Sequence, residues 1–144
     1  MHAPCPAHDT FFSGHFLALK LAAALYVVAI PISHFWLPHS LVWEIALVFL
    51  LLMLPPYAIE AYGKGNVFQT ELKLATGLAV IALLGFWFGA PWMIVLAVFG
   101  HGLWDIAKHN GAGVAFFRWY VTGCVLVDFT YAAALSFYIL MSGI

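Results

Sequence analysis

Charge is what this chain lacks most. Of its 144 residues only 8% are Asp, Glu, Lys or Arg, against about 25% in an ordinary soluble domain. Hydrophobic residues make up 65%, and the mean hydropathy is +1.02. That balance excludes a water-soluble globule and identifies an integral membrane protein. A net charge of -1 with no basic run excludes nucleic acid as a partner. Cysteine is scarce as well: Cys5 precedes the first apolar stretch and Cys124 lies within the last, so no disulfide framework is expected. No Lys or Arg precedes that first stretch and no small-residue cleavage site follows it, so a cleaved signal peptide is not expected. The sequence has no GxSxG elbow, no Gly-rich phosphate loop ahead of a Lys and no paired CxxC. It also lacks the repeated HxxH boxes that membrane desaturases use to hold two irons.

What remains is a series of long apolar runs. A spanning helix needs about 20 mostly apolar residues. Five segments meet or approach that length: 15–37, 41–62, 71–88, 91–109 and 117–141. Between them lie Pro38-His39-Ser40, Gly63-Lys64-Gly65-Asn66, Gly89-Ala90-Pro91 and Asn110-Gly111-Ala112-Gly113, all turn-forming combinations. Pro31 and Pro55-Pro56 are expected to kink the first two helices. The expected fold is an all-α membrane protein, a bundle of about five transmembrane helices forming one domain over 1–144, with a short non-spanning tail at 1–14. With five spans, Lys20, Lys64, Lys73, Lys108 and Arg118 all fall toward one side. The positive-inside rule makes that side cytoplasmic, with the amino end inside and the carboxyl end outside.

Against this background the fourth segment stands apart. His101, Asp105 and His109 follow one another at i, i+4 and i+8. At about 100° per residue they drift only about 80° and form one stripe on the helix. Ionisable groups are costly in hydrocarbon, so such a stripe should face the bundle interior or a polar cavity. His101 lies about 15 Å into its helix and Asp128 about 16 Å into the next, both near mid-depth. The short connection makes these helices antiparallel neighbours, so Asp128 can face His101. Glu60 matches the depth of Asp105 and His109, and Thr76 and Thr122 can add hydroxyls.

Two chemistries use such a set. In the first, His101, Asp105, His109 and Asp128 are ligands to a divalent metal, Zn or Fe (or Mn), because imidazole and carboxylate suit these ions. Glu60 and Asp128 would then be the candidate catalytic residues, Glu60 as general base, with Trp104 walling the pocket. The substrate would be a membrane lipid or another apolar small molecule. In the second, the same groups relay protons or ions in a small transporter or a subunit of a membrane complex. A third account is structural: Asp105 pairs with Lys108 at i+3, His109 caps the helix carboxyl end, and Asp128 merely ties two helices together.

Other polar groups offer less. His34, His39 and Glu44 gather at the outer interface, where polar residues are ordinary. His2, Cys5 and His8 carry soft-ligand chemistry in a Pro-containing tail. Gly85-x-x-x-Gly89 permits close helix approach, within the chain or in a homo-oligomer.

With His101-x-x-Trp104-Asp105-x-x-x-His109 in one span and Gly123-Cys124-x-x-x-Asp128 in the next, residues 99–140 resemble an uncharacterised family of small bacterial integral membrane proteins. In that family H-x-x-W-D-x-x-H-H precedes a span with Gly-Cys and then Asp. The resemblance implies a bacterial inner-membrane location and the same choice of site residues, and it supplies no activity. Lys108 departs from it, standing where the family has the first of two adjacent histidines and placing a cation beside Asp105. In site chemistry alone there is also a likeness to membrane hydrolases of the ceramidase and adiponectin-receptor type, which hold zinc with His and Asp.

Overall fold

Backbone hydrogen bonds cannot be made to hydrocarbon, so an apolar chain must satisfy them within helices. The structure, a computed structural model, describes residues 36–143 together with Leu17, Ala18, Leu21, Leu25 and His34. Among the described residues every regular element is helical. The expected first span falls largely outside them, as do His2, Cys5, His8, Lys20 and Pro31.

Helix α1 (His39–Glu60) runs as two stretches, His39–Met53 and Pro55–Glu60, that meet at Leu54. Pro55 and Pro56 have no N–H to return to the preceding turn, which places the interruption there, as the sequence anticipates. Helix α2 (Asn66–Trp87) follows a tight turn in which Gly63 and Gly65 take positive φ, 79° and 56°. Helix α3 (Pro91–His109) opens with Pro at its first position and ends with Lys108 and His109 in its last turn, where cations meet the helix dipole favourably. Helix α4 (Arg118–Ser142) stops at Gly143, left-handed at φ 69°, whose N–H returns to the Ile139 carbonyl.

The limits of α3 coincide with the expected ones. Helix α2 begins five residues before the expected 71. Gln69, Glu71 and Lys73 make its first turns too polar to resemble a membrane span, yet nothing in them opposes helix formation.

Helix α3 is the centre of the bundle. It packs most extensively on α4, next on α2, and also touches α1. One apolar core joins Val42, Ala46 and Leu50 of α1 to Ile94 and Val98 of α3 and to Leu135 and Ile139 of α4. A second, smaller one gathers Tyr57, Ala61, Val114, Phe116 and Val121 at the other end. The polar residues of α3 lie between them. Among the described residues three helices, α1, α2 and α4, are long and apolar enough to cross a membrane. Helix α3 falls outside that set because His101, Asp105, Lys108 and His109 interrupt its apolar run.

The bundle is polar inside and apolar outside at the same level. Asp105 and Asp128 are fully buried, while Leu103 is 50% and Leu126 67% exposed. A surface of this kind suits lipid rather than water.

The Gly85-x-x-x-Gly89 pair is absorbed at the turn between α2 and α3. A Cβ on Gly85 would stand 2.6 Å from the Met93 Cβ and 3.0 Å from the Ala90 carbonyl oxygen. Both are close to backbone and cannot rotate away. Gly85→Ala is therefore expected to destabilise the protein by about 1–3 kcal/mol, read as a lower melting temperature in detergent. An unchanged melting temperature would show that the turn accommodates the methyl group.

Candidate metal centre

His101 is 1% exposed and reaches across from α3 to α4, its Nδ1 2.8 Å from Asp128 Oδ2. The same nitrogen is 3.6 Å from Asp105 Oδ2, one turn along its own helix. These three side chains each offer a ligand atom, and the atoms lie within 4.8 Å of one another. The close approach depends on Gly102: a Cβ there would come within 3.1 Å of the Asp128 Cβ and of the Phe129 ring. A glycine beside the histidine is what lets α4 carry its carboxylate up to α3.

The centre is short of partners. His101 Nε2, both oxygens of Asp105 and Asp128 Oδ1 are buried without a hydrogen-bond partner. Leaving such groups unmatched costs about 1–3 kcal/mol each, and more when they are charged. Tyr57, the first residue after the two prolines of α1, stacks on His101 with ring centroids 5.9 Å apart and planes at 17°. Its hydroxyl is buried beside Asp105 and Cys124 and is directed at both. Cys124, a buried free thiol, precedes Asp128 by one turn on the same face of α4.

A second polar cluster lies one turn below. Lys108 forms a buried ion pair with Glu71 of α2. The Glu71 carboxylate also accepts the Trp104 indole N–H at 3.0 Å and the Val114 backbone N–H at 2.7 Å. The ammonium sits 4.2 Å from the Tyr57 ring centroid and 5.2 Å from that of Trp104. The pairing of Lys108 with Asp105 allowed by their spacing is therefore replaced by one with Glu71, which leaves Asp105 without that lysine, with the His101 nitrogen at 3.6 Å and the Tyr57 hydroxyl beside it.

His101, Asp105 and Asp128 are thus brought together, and two other candidates stand elsewhere. His109 is exposed at the end of α3, about 12 Å along the axis from His101, too far for a shared ion. Glu60 pairs with Lys64 at 3.2 Å, and its second oxygen is buried without a partner. At the opposite end of the bundle, His34 Nε2 lies 3.0 Å from the Tyr131 hydroxyl, and His39 is hydrogen-bonded to Tyr138, while Glu44 is exposed. Those histidines tie the amino-terminal half to α4, and among the described residues they form no three-residue metal-ligand group with Glu44.

Two residues of the centre are not evident from spacing. Glu71 precedes Lys108 by 37 positions and reads as an interfacial charge at the start of a span. Tyr57 reads as part of an aromatic belt; its place next to a proline pair, which redirects the chain, is the only hint that it turns inward.

No protein-family model, curated protein or solved structure matches this chain.

Proposed function

We propose that the chain is a divalent-metal-binding membrane protein whose metal, held by His101, Asp105 and Asp128, serves an enzyme acting on a lipidic or other apolar small molecule. The observation that supports this best is a charge imbalance. Two carboxylates are fully buried around one imidazole, three of their four oxygens lack a hydrogen-bond partner, and Lys108, the nearby lysine among the described residues, is paired with Glu71. A divalent cation would balance the charge of the two carboxylates and give Asp105 a partner. The spacing is also suitable. Ligands about 2.0–2.1 Å from a tetrahedral ion are about 3.3 Å apart; here His101 Nδ1 lies 2.8 and 3.6 Å from the two carboxylates, and all three ligand atoms lie within 4.8 Å of one another.

Zinc or iron fits one nitrogen and two carboxylate oxygens, with manganese as a harder choice. Three protein ligands leave a position for water, the arrangement of catalytic rather than structural sites. An apolar substrate would be compatible with the surroundings, since the exposed Leu103 and Leu126 at the level of the site suit lipid. We place the protein in a bacterial inner membrane with its amino end cytoplasmic, as a member of the family its carboxyl half resembles. Lys64, Lys108 and Arg118 gather at one end of the helices, which supports that orientation.

Elemental analysis of the detergent-purified protein tests the reading. About one equivalent of zinc, iron or manganese is expected, falling below about a tenth in His101→Ala and Asp128→Asn, since each removes a ligand. A folded parent protein without metal overturns it.

The direct His101–Asp128 hydrogen bond favours a second reading, because that bond is complete without any ion. A proton or ion relay through His101, Asp128 and Asp105 would use it. In that case Asp128→Asn abolishes proton-coupled uptake in proteoliposomes and the protein carries no metal.

A further inference from the structure

We infer that Glu71 is a positioning residue that withholds Lys108 from Asp105 and so keeps Asp105 free to bind a divalent cation. The inference rests on the metal-centre reading above and adds to it a control on ligand availability from outside the ligand set.

Lys108 lies three residues after Asp105, a spacing at which side chains on a helix meet. A lysine so placed next to a fully buried carboxylate that has no cation of full charge fixed to it has every electrostatic reason to turn to it. It does not, because a receptor for its ammonium is built on the other side. Glu71 is 2% exposed, and its two oxygens are fixed by the Trp104 indole and the Val114 amide before the ammonium is counted. The Val114 carbonyl, 3.5 Å from Nζ, and the face of Tyr57 complete the seat.

The loop between α3 and α4 is shaped around this pair. Gly113 has φ +64°, and a Cβ there would collide with the Glu71 carboxylate, with Trp104 at 2.9 Å and with Lys108 Nζ at 3.0 Å. Only glycine leaves room for the ammonium and carboxylate to meet. Lys108, released from Glu71, would cancel the charge of Asp105 and compete with a metal for its oxygens. An ion pair and a metal bond cannot both use that carboxylate at full strength.

This predicts an asymmetry that a purely structural ion pair does not produce. Losing either partner of a structural pair leaves the other charge buried, and both losses weaken the fold. For metal binding the two differ: Glu71→Gln frees the competing cation, whereas Lys108→Met removes it. The probe is Co2+ titrated into the detergent-solubilised, metal-stripped protein, followed by its visible absorption, with circular dichroism reporting the fold.

Cobalt affinity is expected to fall about 10–100-fold in Glu71→Gln, the range seen when groups behind the ligands are removed. Lys108→Met should bind as tightly as the parent or more tightly, and Glu71→Gln with Lys108→Met should recover parental binding. Equal losses in the two single variants overturn the inference, as does parental affinity in Glu71→Gln. If Glu71→Gln does not fold, Gly113→Ala separates the pair without altering charge. It should weaken cobalt binding, with recovery on adding Lys108→Met, and no weakening overturns the inference. Absence of cobalt bands in the parent protein overturns the metal reading together with this one.

Discussion

Asp105→Asn is expected to raise the melting temperature of the metal-free protein while abolishing metal binding. Asp105 is fully buried, neither oxygen has a well-placed hydrogen-bond donor and no lysine or arginine among the described residues is fixed to it, so its charge burdens the fold. Asn has nearly the same shape and carries no charge. The relief comes from removing the buried charge alone, because the Asn amide is still a buried polar group, and it should move the midpoint upward by a few degrees. With metal the order should reverse. A ligand present at about a thousand times its Kd stabilises the folded state by about 4 kcal/mol, and only the parent protein can gain that. Thermal melts of both proteins, with and without zinc, would therefore cross. A drop in the metal-free midpoint would instead show that Asp105 already has a stabilising partner, and the metal reading would lose its main support. Groups kept at a cost to stability are characteristic of sites selected for function.

Much of the helical layout is legible because membrane helices announce themselves by composition. The limits of α3 are marked by Pro91 at one end and Asn110-Gly111 at the other, and the structure agrees with both. The apposition of His101 and Asp128 is readable from equal depths in adjacent antiparallel helices. That inference requires only a constant rise per residue, which helices supply. What spacing cannot settle is which of several charged neighbours a side chain selects. Lys108 has Asp105 within reach on its own helix and takes Glu71 from another, because Trp104 and Val114 hold that carboxylate in place. His109 shows the converse limit: it shares a face with His101 by angle, but eight residues of rise separate them. A stripe on a helix is a line, whereas a metal site is a point.

Gly102 is where helix packing and the candidate chemistry depend on the same atom. Replacing a mid-helix glycine by alanine ordinarily stabilises by up to about 1 kcal/mol, because it restricts the unfolded chain. Gly123 should show this, since none of the described atoms lies within 4 Å of a Cβ placed there. At Gly102 that gain is opposed by packing. Its Cβ would press at 3.1 Å on the Asp128 Cβ and on the Phe129 ring, which is itself packed edge-on against Phe99 at 5.0 Å. For Gly102→Ala the two tendencies nearly cancel, and the melting temperature should change little. Gly102→Leu has no such compensation. Its side chain must displace α4 where α3 packs on it most extensively, at a cost of about 3 kcal/mol or more. The displacement also draws Asp128 away from His101, so metal binding should be lost even in the fraction that folds. Melting temperature and metal content measured on the same samples would check this. Gly102→Leu that retains both would mean that α3 and α4 do not meet at this level, and the centre described here would have to be abandoned.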